Sequence, residues 1–595
     1  MNNSTIYHSL GILLLGFFLG IEAVFSVDVA GEITASPNED AYPSASSNIE
    51  QGSSRRFPTQ EQVLLSAVRS DTSSEFRHTK EVELEIGIIQ RLGAEPLKDK
   101  DPKIDTVTIA STAGDVLAVR FPDDPKSVIQ TQKVVLKVES KPLPQSKLAE
   151  KLVLSDRSTF ETAEDSANSW KKLGIEVEIV QPGRWQVWAK RDVYPTPLVR
   201  RWLLHSLQAN GYKEPYLSTE VLNEEPNITI LINGKEYDRD RVEITTQKNL
   251  VKVNTTNNPQ LTRLYGGSLE LQPNAYGDFT LVNHVPLETY LRGVVPYEIG
   301  ANAPPQAVAA QTILARTYAL RNLRRFEADN YQLCATVHCQ VYKGLNGTNP
   351  TSDRAIANTK GLVLTYQNEL VDALYSSTTG GVTASFDDIW NGSQRPYLKP
   401  IIDAPRPIWD LVKYPLANEA VFRQFINLNQ GFNETGRSAF RWNKTRTITD
   451  LNKDLRRYLT KIRHRLANFT TIQEMQVHRR SSSGRILTLT IQTDKGKLKL
   501  HKNEVRAALE PPRSTLFYLE PIYNTANQLQ AYRFVGGGFG HGVGLSQYGS
   551  YNLANLGWSA KEILAFYFPQ TEIQPLDDSI VFYSASSNRS LGRRN

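Results

Sequence analysis

The ordered pattern of the chain begins near Glu81. Val82, Leu84, Ile86 and Ile88 alternate with Glu83, Glu85 and Gly87, the period-two signature of a strand with one buried face. Segments 107–110 and 116–119 predict two further strands, separated by a turn at Ala113, Gly114 and Asp115. Between 150 and 222 the pattern changes to strand, helix, strand, strand, helix. Val153 and Leu154 open it, and Ser158 with Glu161 reads as a capping box for a helix through Trp170 that stops at Gly174. Segments 177–180 and 185–188 alternate as a hairpin around Pro182 and Gly183, and a second helix is expected over 198–209. From Ile228 to Val282 the chain is strand-rich again.

A helical period then takes over. In 304–320, PPQAVAAQTILARTYAL, the residues Ala307, Ala310, Leu314 and Tyr318 share one stripe, and the two prolines suit a first turn. Glu298 is expected in the short connection before this helix. A polar, helical segment at 417–466 reads as an insert and a candidate wall of a groove. The fold class this predicts is α+β and strand-dominated, with the alanine-rich helix as a central packing element.

Composition narrows the class. The chain has 595 residues, too many for one ordinary domain, and 40% hydrophobic with 22% charged residues is a globular balance. The net charge of +6 weakly favours polyanionic partners. With no long Lys/Arg run and no zinc-finger spacing, nucleic-acid binding has no positive support. The apolar run at 10–21, followed by Val24-Phe25-Ser26, reads as a secretory signal over 1–26, although residues 1–9 hold no Lys or Arg. An uncleaved anchor is the alternative, and the membrane contact expected here would come only through that segment. Residues 27–79, rich in Ser, Pro, Glu and Gln, read as a flexible linker, and 583–595 as a tail.

Candidate chemistry centres on three places. Pro296, Tyr297 and Ile299 surround Glu298 with apolar neighbours, and desolvation raises a carboxyl pKa toward what a general acid needs; the plain alternative is a capping or ion-paired glutamate. The run 536–549, GGGFGHGVGLSQYG, has glycine at nearly every second position, which permits close backbone approach by a ligand. No Lys-Ser/Thr pair follows, so it is not a phosphate loop. Its His541, Ser546, Gln547 and Tyr548 suit sugar hydroxyls, as do Ser376 and Ser377 beside Gly380 and Gly381; the alternative is a tight corner whose glycines serve packing. Cys334, His338 and Cys339 form the third place, with a metal or a local disulfide both open.

Taken in order, the blocks 287–320, 334–342, 355–366, 373–383, Trp390, 396–398, Asp403, 506–509, 514–517, 538–549 and 557–567 resemble the stage II sporulation protein D family. They span 228–582, with the strands of 80–145 as an upstream part of the same catalytic region and 150–222 as a small α+β insert. The resemblance implies a lytic transglycosylase acting on peptidoglycan glycan strands, by preference those stripped of stem peptides, with Glu298 as its catalytic acid/base and no cofactor. One carboxyl group suffices if it protonates the glycosidic oxygen and then deprotonates the sugar's own 6-hydroxyl to close an anhydro ring. The alternative within the same resemblance is an amidase enhancer, which binds the wall or stimulates a wall amidase without cutting glycan. Zinc bound by two Cys and two His in some members is the precedent for a metal here, but 324–333 contains no His, so a disulfide between Cys334 and Cys339 is preferred. The 150–222 insert is similar in pattern to the sporulation-related repeat, which binds glycan in other wall proteins; a purely structural insert is the other reading. The expected location is exported, in the periplasm or cell envelope. Mature protein is therefore expected outside the cytoplasm, starting near Val27; N-terminal sequencing that finds Met1 on a soluble cytosolic chain would contradict this.

Overall fold

The computed structural model describes residues 81–96, 103–256, 258–510 and 512–583; the expected signal segment, the linker and the tail beyond 583 lie outside them. The strands run β1 (Glu83–Leu92), β2 (Thr106–Ser111), β3 (Leu117–Phe121), β4 (Asp124–Thr131), β5 (Lys133–Arg157), β6 (Val177–Val180), β7 (Trp185–Ala189), β8 (Tyr216–Ile232), β9 (Lys235–Asp238), β10 (Val242–Thr246), β11 (Leu250–Asn254), β12 (Arg263–Gly266), β13 (Ser268–Pro273), β14 (Phe279–Pro286) and β15 (Leu333–Cys334). A seven-stranded sheet has the order β15-β1-β14-β13-β10-β3-β4, and an eight-stranded sheet β12-β11-β2-β5-β7-β6 carries β8 and β9 as a branch on β5. Alternation sets both: Leu84 and Ile86 of β1, Val107 and Ile109 of β2, Leu117 and Val119 of β3 and Leu269 and Leu271 of β13 point into one shared core. The mixed α+β class expected from the pattern is the class observed.

Two helices close that core. They are α3 (Leu287–Ile299) and α4 (Pro305–Arg321). Nearly all of α4 beyond its first turn is buried, so the polar residues it carries must find partners inside the protein. Its buried Arg316 is held by a bidentate pair to Glu288 of α3 at 2.8 and 2.7 Å.

The 150–222 region has the βαββαβ order of a split βαβ unit, with α1 (Phe160–Lys172) and α2 (Pro197–Ala209) between its strands. Its strands lie in the order β8-β5-β7-β6. No linker joins it to the body: β5 runs for 25 residues and β8 for 17, paired through both regions with one irregularity between Pro142 and Lys147. The boundaries expected at 145–150 and 222–226 thus fall inside two strands. The cap of α1 is Thr159, whose hydroxyl accepts the Thr162 N–H, and not the expected Ser158. Glu161 is consequently free of the capping box and reaches out to Arg325 at 3.0 Å.

Both faces of this unit are occupied. Leu152, Leu154, Trp185 and Val187 pack under the helices, whereas Val153, Val180 and Trp188 face the other way onto Ala275 and Tyr276. Arg191 donates to the carbonyls of Ala275 and Ala328, both at 3.0 Å, and Arg324 grips Glu164 at 2.6 and 2.9 Å. This packing favours a structural part for the insert. The two ion pairs on α1 differ in burial, Arg325 being 4% and Arg324 24% exposed in its side chain. Glu161→Ala strands a buried guanidinium and is expected to cost about 3 kcal/mol of local stability, whereas Glu164→Ala should cost less than about 1 kcal/mol. Hydrogen exchange of α1 measures both, and equal costs would contradict the assignment.

Candidate active site

Glu298 sits in the last turn of α3 and not in the expected connection before the alanine-rich helix. The helix continues through Pro296 because Leu287, Tyr290, Leu291, Val294, Val295 and Ile299 bury one face, and that burial outweighs the lost N–H. Gly293 lets the Tyr342 ring close in; a Cβ there would lie 2.4 Å from it. Glu298, a half-buried residue, accepts the Val341 N–H at 2.7 Å on its carboxylate, and the Tyr375 hydroxyl favours the charged form of that carboxylate. Burial pushes its pKa up to about 7, against the pull of those two donors.

A buried glutamine orients the donor. Gln340 Nε2 donates to Tyr375 Oη at 3.2 Å and to Ala315 O at 3.3 Å, while Gln340 Oε1 accepts from Tyr290 Oη at 3.1 Å. Because Tyr375 accepts from Gln340, its own proton is left for another acceptor. Gln340 and Val341 follow directly on the loop closed by Cys334 and Cys339, whose sulfurs are joined across a Cα separation of 5.7 Å. With both sulfurs in that bond, no thiolate pair remains for zinc, and among the described residues no cluster of three His, Cys, Asp or Glu could hold a metal. His338 lies exposed on the loop.

The backbone end of α3 is fixed from far along the chain. Tyr375–Ser376 and Leu545–Ser546 pair as parallel strands. Gly544, at φ 73°, lies where a Cβ would come within 2.1 Å of the Leu374 carbonyl. Ser546 caps the helix Gln547–Asn555 by accepting the Gly549 N–H at 3.0 Å. From that helix Gln547 Nε2 donates to the Glu298 carbonyl at 2.6 Å, and the Tyr551 hydroxyl donates to the Ile299 carbonyl.

These contacts reassign several residues expected to meet sugar. Ser546 is wholly buried and donates to Glu434 at 2.6 Å. Gln547 holds the Glu298 backbone, and buried Ser376 accepts the Gly542 N–H at 3.2 Å. All three are engaged within the protein. Tyr548, Ser377 and His541 stay half-buried. Arg437 stands 4.7 Å over the Tyr548 ring. His541 packs against Trp390 at 5.1 Å, its Nδ1 accepting the Val543 N–H at 3.0 Å. Burial, then Arg506 and Arg485, lower its pKa to about 3, so it is a neutral ring. Tyr290, Gln340, Val341 and Glu434 escaped sequence reasoning. Tyr290 had one legible signal, lying eight residues before Glu298 and so about two helical turns away.

This arrangement defines a site built around one desolvated glutamate at a helix terminus, and comparison with known proteins gives its class. Residues 275–366, which hold Glu298, Tyr290, Gln340 and the disulfide loop, match the family model described as Stage II sporulation protein; the chain carries a domain of that family. Residues 384–544 match a domain of unknown function (DUF8618). The chain is similar to the amidase enhancer of Bacillus subtilis (strain 168), 28% identical over 305 residues, covering 48% of this chain and 40% of that protein. It is also similar to the stage II sporulation protein D of Bacillus amyloliquefaciens, 27% identical over 319 residues, covering 51% and 78%. An uncharacterized protein of Brachyspira hyodysenteriae is 26% identical over 318 residues, covering 52% and 72%.

The Tyr375 bond stabilises the charged form of Glu298, so Tyr375→Phe is expected to move the carboxyl midpoint above about 7. Carbon-13 titration of the carboxyl reads this without any activity; an unchanged or lower midpoint would remove Tyr375 from the site.

Proposed function

We propose that this protein acts on the cell wall as a lytic transglycosylase, cleaving peptidoglycan glycan strands with Glu298 as acid and then base. The observation that carries the reading is the environment of Glu298: burial, the Val341 N–H and Tyr375 set its ionisation, with no second carboxylate among these influences from the described residues. A hydrolase working through two carboxylates needs a partner at a fixed separation. A single carboxyl balanced near pH 7 suits a reaction in which the same group gives and takes one proton.

The protonated Glu298 donates to the glycosidic oxygen as the C1–O bond breaks, and the leaving strand departs as an alcohol. The resulting carboxylate then removes the proton from the 6-hydroxyl of the same sugar, and O6 closes on C1. The product is an anhydro end, the glutamic acid is regenerated, and no water is consumed. Export to the envelope follows as part of this reading. A second reading, stimulation of a wall amidase without cleavage, is favoured by the similarity to the amidase enhancer.

Product analysis on peptide-free glycan strands tests both. Wild type is expected to yield anhydro-muramyl ends. Glu298→Gln keeps the shape but not the transferable proton, and cleavage should fall by about 10²–10⁴-fold with strand binding retained. Because the acid form is the active one, wild-type cleavage should decline as pH rises through about 7. Reducing ends would mean a hydrolase. Binding without cleavage in wild type would favour the amidase reading, and undiminished cleavage by Glu298→Gln would overturn the mechanism.

A further inference from the structure

Residues 379–382 form a turn between the strand that carries Tyr375 and the body of the 384–544 segment. Its polar backbone groups are taken up by charged side chains of that segment. Glu434 accepts Thr379 N–H at 2.5 Å, Gly380 N–H at 2.9 Å and Gly381 N–H at 3.3 Å. Arg485 donates to the carbonyls of Thr379 and Val382 at 2.7 and 2.8 Å, and Arg441 to that of Gly380 at 2.8 Å. Glu434 is wholly buried, as expected of a carboxylate this fully satisfied.

Hydrogen-bond accounting fixes its charge. Glu434 Oε1 also accepts the hydroxyls of Ser546 at 2.6 Å and Thr379 at 2.9 Å, so five donors converge on its two oxygens and leave no room for a proton. Thr379 Oγ1 lies 2.9 Å from Asp403 Oδ2 as well. One hydroxyl has one proton, so the second contact is a bond only if Asp403 carries a proton on Oδ2. The other oxygen, Oδ1, accepts from Tyr567 and Asn433 at 2.8 and 2.9 Å. Burial, followed by the charge of Glu434, raises the pKa of Asp403 well above the usual range, in agreement. The pair thus bears a single charge, on Glu434.

That charge grips both strands that define the site. Through Thr379 it holds the end of the strand bearing Tyr375, whose hydroxyl favours the charged form of Glu298. Through Ser546 it holds the cap of the helix whose Gln547 and Tyr551 fix the carbonyls of Glu298 and Ile299. We propose that Glu434 is a positioning residue for Glu298, and that through it the 384–544 segment, whose function nothing assigns, forms an integral part of the site. The role rests on the transglycosylase reading for its effect on rate, but not for its effect on structure.

The test compares Glu434→Gln, Glu434→Asp and Ser546→Ala with wild type in the full exported chain. Hydrogen exchange over 376–381 and 547–551, the Glu298 carboxyl titration, and steady-state cleavage of peptide-free glycan are read on each. Glu434→Gln turns an NH₂ group toward donors. It should lose protection in both segments, leave β1 unchanged, and lower kcat by about 10²-fold with KM nearly constant, the scale of a small misplacement of a catalytic group. Glu434→Asp, which keeps the charge, should recover part of the rate. If Glu434→Gln does not fold, Ser546→Ala removes one donor only and should lose protection at 547–551 and shift the Glu298 midpoint. Unchanged exchange and an unchanged midpoint in the variants would overturn the proposal, as would a full rate with protection lost. A wild type that cleaves nothing would defeat the transglycosylase reading alone, since exchange and titration still decide the role of Glu434.

Discussion

The structure depends on keeping one carboxyl group half out of water at the end of a helix. Glu298 is a half-buried residue whose carboxyl is desolvated enough to hold a proton near neutral pH. That condition fails if the last turn of α3 frays, and helix ends fray readily because their carbonyls lack intrahelical partners. Here the carbonyls of Glu298 and Ile299 are bonded by Gln547 and Tyr551, some 250 residues later in the chain. The terminal carbonyls are therefore satisfied by tertiary contacts, and the helix can stop at Gly300 with its acid held in place.

That constraint explains why so much chain serves one side chain. Val341 reaches Glu298 because the Cys334–Cys339 loop turns the segment back after β15 pairs with β1. Tyr375 reaches it because a parallel bridge to Leu545 sets its height, and Gln340 decides which way its proton points. Each contact joins segments distant in sequence, so the site exists only when the whole domain is assembled. The βαββαβ unit contributes to the same rigidity, docked through Arg191, Arg324 and Arg325 and continuous with the body through β5 and β8.

The strands, the strand-helix-strand-strand-helix order of 150–222 and the alanine-rich helix were legible because each is written in a local period. Leu84 and Ile86 alternate, and Ala307 and Leu314 recur at helical spacing, whatever the rest of the chain does. The helix that carries Glu298 was not legible, because the burial that carries it past Pro296 is tertiary. Ser546 and Ser376 look alike in sequence to hydroxyls that meet sugar. Only the fold reveals that Ser546 is enclosed with Glu434 and that Ser376 receives the Gly542 N–H. Gln340 and Glu434 left no signal at all. A buried polar residue is recognised by the partners it finds, and those partners are distant in sequence.

Two carboxyl groups in this domain show how environment alone divides the labour. Both are glutamates removed from water, and what differs is the number of donors each one meets. Glu298 receives one backbone N–H and the influence of one phenol, too little to offset burial, and stays protonable near neutrality. Glu434 receives three backbone N–H groups and two hydroxyls, with its neighbour Asp403 holding the proton of the pair. The underdonated group is free to exchange a proton with a ligand, and the saturated one can only hold backbone in place. Moving even one donor from Glu434 to Glu298 would weaken the support and lower the acid's pKa together. The separation of these two sets of donors, set by the 379–382 turn, is thus what keeps acid and anchor distinct.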